Sequence, residues 1–475
     1  MIVPQAKQGY IVQMVRTLFF VLCLAFGCRS AEDTGAFDDT GPAEDTGLPT
    51  YTWPPYAETP SWYSEDPCYA TGGAWADISG DGRLDWVTSC GNDMAQGPVQ
   101  VYEVNTKGQL PVLATWTSET SAYYGHLATG DVDGDGWEDV VVSVFLGEDR
   151  FSSPGTVHLY RNLGGALETQ PSWTSEERFF SFSLALGDVD NDGDLDLSVA
   201  TGESYYNAPS PDRLYENVNG AFSSESIWVS NEATHSFDTA FVDVDMDGWL
   251  DLAFAREGSP HSVYFNDGGQ LDDIAGWTSD GQDAGGNTLD FGDMNNDGWP
   301  DLLISDNGQH GGRASSSVYC GPALNRCWEN LDYEEGYPSA NAFVDADGDG
   351  DLDIALGGWW ETVRLYENSD GAVENTPSFV SEPTPVAETI TFHDIDGSAE
   401  VEITFKGEGP LLAIPFGCRV TATTPTDAAI GHRYITAANT TSIEGKCMWS
   451  GAPDLTLTDW ANGDGNTVYA HLGHN

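Results

Sequence analysis

A nine-residue pattern, Asp-x-(Asp/Asn/Ser)-x-Asp-Gly-x-x-Asp, constrains this chain more than any other feature, because it returns at a nearly fixed interval. It reads DISGDGRLD at 77–85, DVDGDGWED at 131–139 and DVDNDGDLD at 188–196. It continues as DVDMDGWLD at 243–251, DMNNDGWPD at 293–301 and DADGDGDLD at 345–353. A worn copy, DIDGSAEVE, stands at 394–402, and successive starts lie 49 to 57 residues apart. A period of about 50 residues implies stacked or radially arranged supersecondary units rather than independent domains.

The flanks repeat with the loops. Ahead of each comes an alternating segment ending in a small residue, such as SFSLALG at 181–187. Behind each comes a β-rich run, such as DVVVSVFLG at 139–147, then an aromatic segment often ending in Asn: VHLYRN, RLYEN, SVYFN and VRLYEN. A fourth segment carries Trp or Phe, as in PSWTSEE at 171–177. Short runs with two-residue alternation and Gly/Asn/Asp boundaries predict strands. Four short strands per period predict an all-β chain folded as a β-propeller, the Asp loop joining the first two strands of each blade.

Residues 454–472 have the second- and third-strand pattern, which places an eighth loop, stripped of most acids, near Lys446. No fourth strand follows it, whereas PSWYSED at 60–66 is a fourth strand without a blade. The expectation is eight four-stranded blades over 60–475, the ring closed by the N-terminal strand joining the last blade. Seven blades is the alternative.

Within the loops, oxygen side chains fall at positions 1, 3, 5 and 9. Position 1 is Asp77, Asp131, Asp188, Asp243, Asp293, Asp345 and Asp394; position 3 is Ser79, Asp133, Asp190, Asp245, Asn295, Asp347 and Asp396. Position 5 is Asp81, Asp135, Asp192, Asp247, Asp297, Asp349 and Ser398; position 9 is Asp85, Asp139, Asp196, Asp251, Asp301, Asp353 and Glu402. Such acids repel by about 4 kcal/mol per pair at 4 Å and an effective dielectric near 20. A divalent cation reverses that sign, and calcium accepts six to eight oxygens in flexible geometry where magnesium demands a stricter octahedron. The Gly at position 6 permits the sharp turn that brings position 9 back. Position 7 is expected to offer its backbone carbonyl. Six calcium sites follow, with a seventh at 394–402 where Ser398 and Ala399 replace Asp-Gly. An EF-hand loop begins the same way but needs an acid at position 12, which here is Thr88, Val142, Val199, Phe254, Ile304, Leu356 and Phe405.

The loop motif, its period and the strand–loop–strand style of LALGDVDNDGDLDLSVATG resemble the FG-GAP/VCBS repeats of integrin-α-like β-propellers over residues 60–475. The resemblance implies calcium cages between the first two strands of blades, at the ring's periphery. It also implies a family that includes adhesion and ligand-binding proteins, some lectins, and propellers attached to enzymes.

Charge narrows the function classes. With 76 Asp+Glu against 17 Lys+Arg the chain cannot present a phosphate-neutralising surface, so nucleic acid is excluded as a partner. More than a third of those acids lie in the seven loops. Residues 18–26 (LFFVLCLAF), behind Arg16, are too short to span a bilayer and read as the core of a signal peptide over 1–27. Ala25-Phe26-Gly27-Cys28 resembles a bacterial lipobox, although Ala25 and Phe26 depart from its usual residues; lipidation would fall on Cys28. Residues 28–59, with Asp-Thr-Gly three times, are an acidic tether that cannot bury enough surface to fold. The expectation is an exported protein, either a bacterial surface lipoprotein or secreted. Six further cysteines suit an oxidising compartment, and proximity favours Cys320–Cys327, Cys68–Cys90 and Cys418–Cys447.

No G-x-S-x-G, H-E-x-x-H or P-loop occurs, so no catalytic residues are assigned and no enzyme is expected. The leading reading is a surface binding or adhesion module for a glycan or protein ligand. Tyr123-Tyr124, Tyr205-Tyr206 and Trp359-Trp360 are its candidate aromatic contacts, packing between blades being the alternative for each. A lyase-like enzyme on acidic sugars and a ligand-free structural lipoprotein are the other classes.

Overall fold

The apolar segments on either side of each of the six described Asp loops pair with one another as antiparallel strands, and the loop becomes a hairpin connection. The computed structural model describes residues 62–381 except 67, 94, 282–284, 309–314, 331–336, 348, 360 and 361, together with short strands between 402 and 468. The chain is all-β, a succession of four-stranded antiparallel meanders in a propeller arrangement. The first runs through Ala70–Ala76, Asp85–Gly91, Gln96–Tyr102 and Trp116–Thr117. The second runs through Tyr123–Gly130, Asp139–Gly147, Val157–Tyr160 and Trp173–Thr174, with an extra strand, Arg150–Pro154, paired to the end of Asp139–Gly147.

A seven-stranded sheet follows, made of two meanders run together. Its strand Trp228–Val242 pairs with Ser210–Tyr215 through its first half and with Asp251–Glu257 through its second. The next sheets are Gly286–Gly292, Asp301–Asp306, Ser315–Cys320 and Asn325–Glu329, then Tyr337–Val344, Asp353–Trp359, Arg364–Tyr366 and Phe379–Val380.

First strands of successive meanders lie against one another. A methyl carbon on Gly72 would come within 2.7 Å of the His126 Cα, and one on Gly125 within 2.3 Å of the Phe182 carbonyl oxygen, so both approaches require glycine. Polar side chains stitch the same seams. Ser89 Oγ donates to the Gly125 carbonyl at 2.6 Å, and Asp238 and Asp290 accept the N–H groups of Leu289 and Phe343 at 2.9 and 2.8 Å. Second strands are buried along their length, as in Asp85–Gly91 and Asp301–Asp306, because sheets cover them on both faces.

The fourth-strand Trp residues have one repeated task. Each stands edge-on to the Tyr that ends the third strand of the next meander. Trp116–Tyr160, Trp173–Tyr215, Trp228–Tyr264, Trp277–Tyr319 and Trp328–Tyr366 have ring centroids 5.1 to 6.1 Å apart. Trp62, from the segment at 60–66, takes this position against Tyr102 of the first meander at 5.4 Å, and its Nε1–H donates to the Pro111 carbonyl. Disulfides Cys68–Cys90 and Cys320–Cys327 form as their proximity suggests. The segments 1–61, the loops at 394–402 and near Lys446, the pair Cys418–Cys447 and the closing of the ring lie outside the described residues.

Trp228 also stacks on Phe254 and donates through Nε1 to the Asp272 carbonyl, so Trp228→Ala removes three contacts with the following meander at once. The expected cost is about 3 kcal/mol, read as a lowered midpoint in urea melting.

Candidate cation loops and an aromatic face

Each Asp loop is a cage built by its own backbone. The position 1 carboxylate accepts the N–H of position 5 on one oxygen and that of position 6 on the other, as Asp188 does from Asp192 and Gly193, both at 3.0 Å. Asp77, Asp131, Asp243, Asp293 and Asp345 repeat the arrangement. Position 6 has φ of 85 to 98° in all six described loops, which is why it is Gly. Position 4 is left-handed as well, in Gly80, Gly134, Asn191, Met246 and Asn296. Asn tolerates this conformation and Met does not, so Met246 is a strained exception.

The side-chain oxygens that converge are those of positions 1, 3 and 9. In Asp131/Asp133/Asp139, Asp188/Asp190/Asp196, Asp243/Asp245/Asp251 and Asp345/Asp347/Asp353 one oxygen from each lies within 4.8 Å of the others. The position 5 carboxylates turn to the N–H of position 7: Asp135 to Trp137 at 3.0 Å, Asp192 to Asp194 at 3.0 Å, Asp247 to Trp249 at 2.9 Å and Asp349 to Asp351 at 3.0 Å. Loops 77–85 and 293–301 keep the same turn with Ser79 and Asn295 at position 3.

Arginines reach two loops. Arg83, at position 7, pairs with Asp81, and Arg161 lies 3.4 Å from Asp133. Position 7 of the first loop therefore has a side-chain role that its variability in sequence conceals.

All-oxygen donors of this kind suit a hard divalent cation. Burial, with repulsion from neighbouring carboxylates, raises Asp188 and Asp243 to about 7 and Asp196 to about 8. Burial likewise raises Asp139 and Asp301 to about 7, and Asp251 and Asp353 go well above the ordinary carboxylate range. The loops gather more negative charge than burial tolerates, which is what a cation relieves.

At the opposite end of the strands, from Asp139 to Phe145 six residues or about 20 Å on, aromatic rings collect. Phe151, on the added strand, contacts Tyr205 at 5.8 Å and Tyr206 at 5.0 Å. Phe145 sits beneath, 6.0 Å from Phe151 and 5.4 Å from Phe182, which meets Phe237 at 5.9 Å. Phe182 and Phe237 occupy register shifts in their first strands, where a bulge re-aims the side chain. The buried Glu203 carboxylate accepts the Tyr206 N–H at 3.0 Å and holds the turn. Tyr206 is 71% exposed and Tyr205 39%. Tyr123 is half-buried beside Arg150, whereas Tyr124 is core, its hydroxyl 2.7 Å from that of Tyr160. Trp359 ends its strand, and Trp360 lies outside the described residues.

Sequence reasoning also missed a meeting of His126, Ser183 and Asp238 on adjacent first strands. Ser183 Oγ donates to Asp238 at 2.6 Å and lies 3.2 Å from His126 Nδ1. All three are buried, and the serine stands between acid and histidine with its hydrogen given to the acid. A nucleophile needs the histidine in the middle, so this cluster is a seam between strands and not a hydrolytic triad.

Raised carboxylates fix the sign of the pH dependence when divalent cations are chelated. The folded state then holds protons that the unfolded chain releases near pH 4, so stability falls as pH rises from about 4 toward 8. Thermal melting in chelator is expected to show a midpoint that drops across this window. Excess calcium is expected to raise the midpoint and remove the drop; a pH-independent midpoint insensitive to calcium contradicts the cage reading.

An FG-GAP-like repeat family matches residues 77–142 and 243–304, each match opening on one Asp loop and closing beyond the next. Among solved structures, BBS1N in complex with ARL6DN is similar over 66% of this chain and 85% of that one, with 11% identity and a TM-score of 0.44. The computationally designed Ika8 protein is similar over 86% and 98%, with 11% identity and a TM-score of 0.43. The exotype rhamnogalacturonan lyase YesX is similar over 84% and 72%, with 14% identity and a TM-score of 0.41. No curated protein matches the sequence significantly. The repeated Asp cages, the meanders they join and the matched segments together show a β-propeller arrangement that carries FG-GAP-like repeats in two regions.

Proposed function

We propose that this chain is an exported, calcium-stabilised propeller that binds a glycan on the face opposite its Asp loops. The observation that carries the reading is the platform of exposed Tyr205 and Tyr206 with half-buried Phe151, held on a rigid scaffold and backed by buried Phe145 and Glu203. Aromatic faces at such angles suit the C–H faces of sugar rings. A net charge of −59 favours a neutral glycan over a polyanion. Calcium is the cation that suits the loops, because irregular oxygen cages with Asp, Ser or Asn at position 3 fit its flexible coordination.

Two disulfides support export, since such bonds persist in oxidising compartments. The place of Trp62 against Tyr102 supports a ring closed by 60–66, because that is where a preceding blade's fourth strand stands at the other described seams. Lipid attachment at Cys28 completes the reading as a surface protein; metabolic labelling with a fatty acid is expected to mark the chain and to be lost in Cys28→Ala.

A glycan array followed by calorimetry tests the ligand. Neutral glycans are expected to bind, and Tyr206→Ala to weaken them about tenfold, the equivalent of about 1.4 kcal/mol. Silence on the array, or binding indifferent to both Tyr206→Ala and Phe151→Ala, removes the platform as the site.

A further inference from the structure

Two residues beyond the third strand stands an asparagine in four of the described meanders, and each of these side chains spans a seam. Asn217 is buried; its backbone N–H donates to the position 9 carboxylate of its own loop, Asp196 Oδ1, at 2.7 Å. Its side-chain amide donates to its own Leu195 carbonyl at 3.0 Å. The same amide donates at 2.8 Å to the carbonyl of Val132, position 2 of the preceding loop. The other oxygen of Asp196 accepts the N–H of Val189, position 2 of its own loop, at 2.9 Å. The carbonyl of Val189 in turn accepts the side chain of Asn266 at 2.7 Å.

The unit therefore repeats as a chain of hydrogen bonds in which position 2 receives from the following meander and gives to its own position 9, except in the loop at 77–85, where the neighbouring Ser79 at position 3 gives to Asp85. Asn162 begins it, reaching Ile78 at 2.8 Å, with its N–H on Asp139 and Val132 N–H on the second oxygen. Asn266 carries it to Asp251, whose second oxygen holds the Val244 N–H. There it stops. In the next meander Gly321 stands where the asparagine would be; it gives its N–H to Asp301 at 2.8 Å but has no side chain to reach Val244. A second run then starts, Asn368 reaching Met294 at 2.7 Å with its N–H on Asp353. The first meander has Val104 at this place, bonded to Asp85 through its N–H alone.

We propose that Asn162, Asn217, Asn266 and Asn368 are positioning residues that couple the cation loops of adjacent blades. The loops at 77–85, 131–139, 188–196 and 243–251 then fill as one cooperative group, and those at 293–301 and 345–353 as a second. The physical reason is that a cation drawing in positions 1, 3 and 9 shifts position 9, and with it position 2. The following asparagine hangs on that position 2 carbonyl, so the next cage is set before its own ion arrives. The inference rests on the loops taking calcium, as proposed above.

Calorimetric titration of the chelator-treated full chain with calcium reads both questions separately. Asp190→Asn, which leaves every asparagine latch in place, is expected to remove one site and weaken the remaining first-group sites by about fivefold or more. It is expected to leave the second group unchanged. Asp347→Asn is expected to do the converse. Asn217→Ala is expected to retain the sites while splitting the first group, so that Asp190→Asn on that background no longer alters the loop at 131–139. Loss of one site with every other affinity unchanged in Asp190→Asn overturns the coupling and leaves the calcium reading standing. Absence of any calcium binding in the unaltered chain overturns the calcium reading itself. Because Asp190→Asn decides the matter with intact latches, a failure of Asn217→Ala to fold does not protect the proposal.

Discussion

A buried carboxylate at the start of each second strand is the point on which this architecture hangs. Asp139, Asp196, Asp251, Asp301 and Asp353 each accept one N–H from position 2 of their loop and one from a residue just past the third strand. One side chain therefore fixes the loop to its own sheet at both margins. Its burial would be costly as a lone anion, and two hydrogen bonds offset only part of that cost. The remainder is met by a proton or by a cation, so cohesion within the blade and the demand for an ion have the same origin.

The seams between meanders use a different economy of contacts at each radius. Near the axis, glycine and small polar residues allow first strands to approach until their backbones are nearly in contact, as at Gly72 and Gly125. Farther out, tryptophan edges fill the gap to the next tyrosine, since the sheets diverge with radius and only a large ring spans the space. The asparagine latches lie on the loop side of the same seams. Asp cages and blade contacts are thus joined in two runs, interrupted at Gly321.

Much of this was legible in the sequence, and the reasons are local. The nine-residue loop specifies its own turn: Asp at position 1 collects two N–H groups and Gly at position 6 supplies the positive φ, so the motif marks hairpin and cage together. What was not legible depends on partners from other repeats. Asn at the end of VHLYRN and RLYEN was visible as a regularity, but its bond to a carbonyl of the preceding loop exists only after the blades are stacked. The fourth strand bearing Trp328 escaped notice because the Cys320–Cys327 hairpin brings it within a few residues of the third, far sooner than in the other repeats. Tyr123-Tyr124 divided into a rim residue and a core residue, a distinction adjacent tyrosines on a strand cannot reveal without knowledge of which face is covered.

The arginines at the first two loops bear on how the network distributes charge. Arg83 neutralises Asp81 and Arg161 approaches Asp133, so the loops at 77–85 and 131–139 have part of their repulsion relieved by protein groups. In the loop at 188–196 burial and neighbouring acids raise both Asp188 and Asp196, and position 7 is itself Asp194. The need for an external cation is thus greater there than at the beginning of the array. The partly exposed Arg161 contributes little stability by its charge alone, but it also donates to the Gly220 carbonyl, on the turn that follows the Asn217 latch. The same guanidinium that lightens one cage therefore touches the segment anchoring the next. A chain with 17 basic residues against 76 acidic ones has placed one of them, Arg161, where loop and latch meet. That placement follows from the physics of the seam, because a cation bound to the protein is most effective where two acidic elements must be held together.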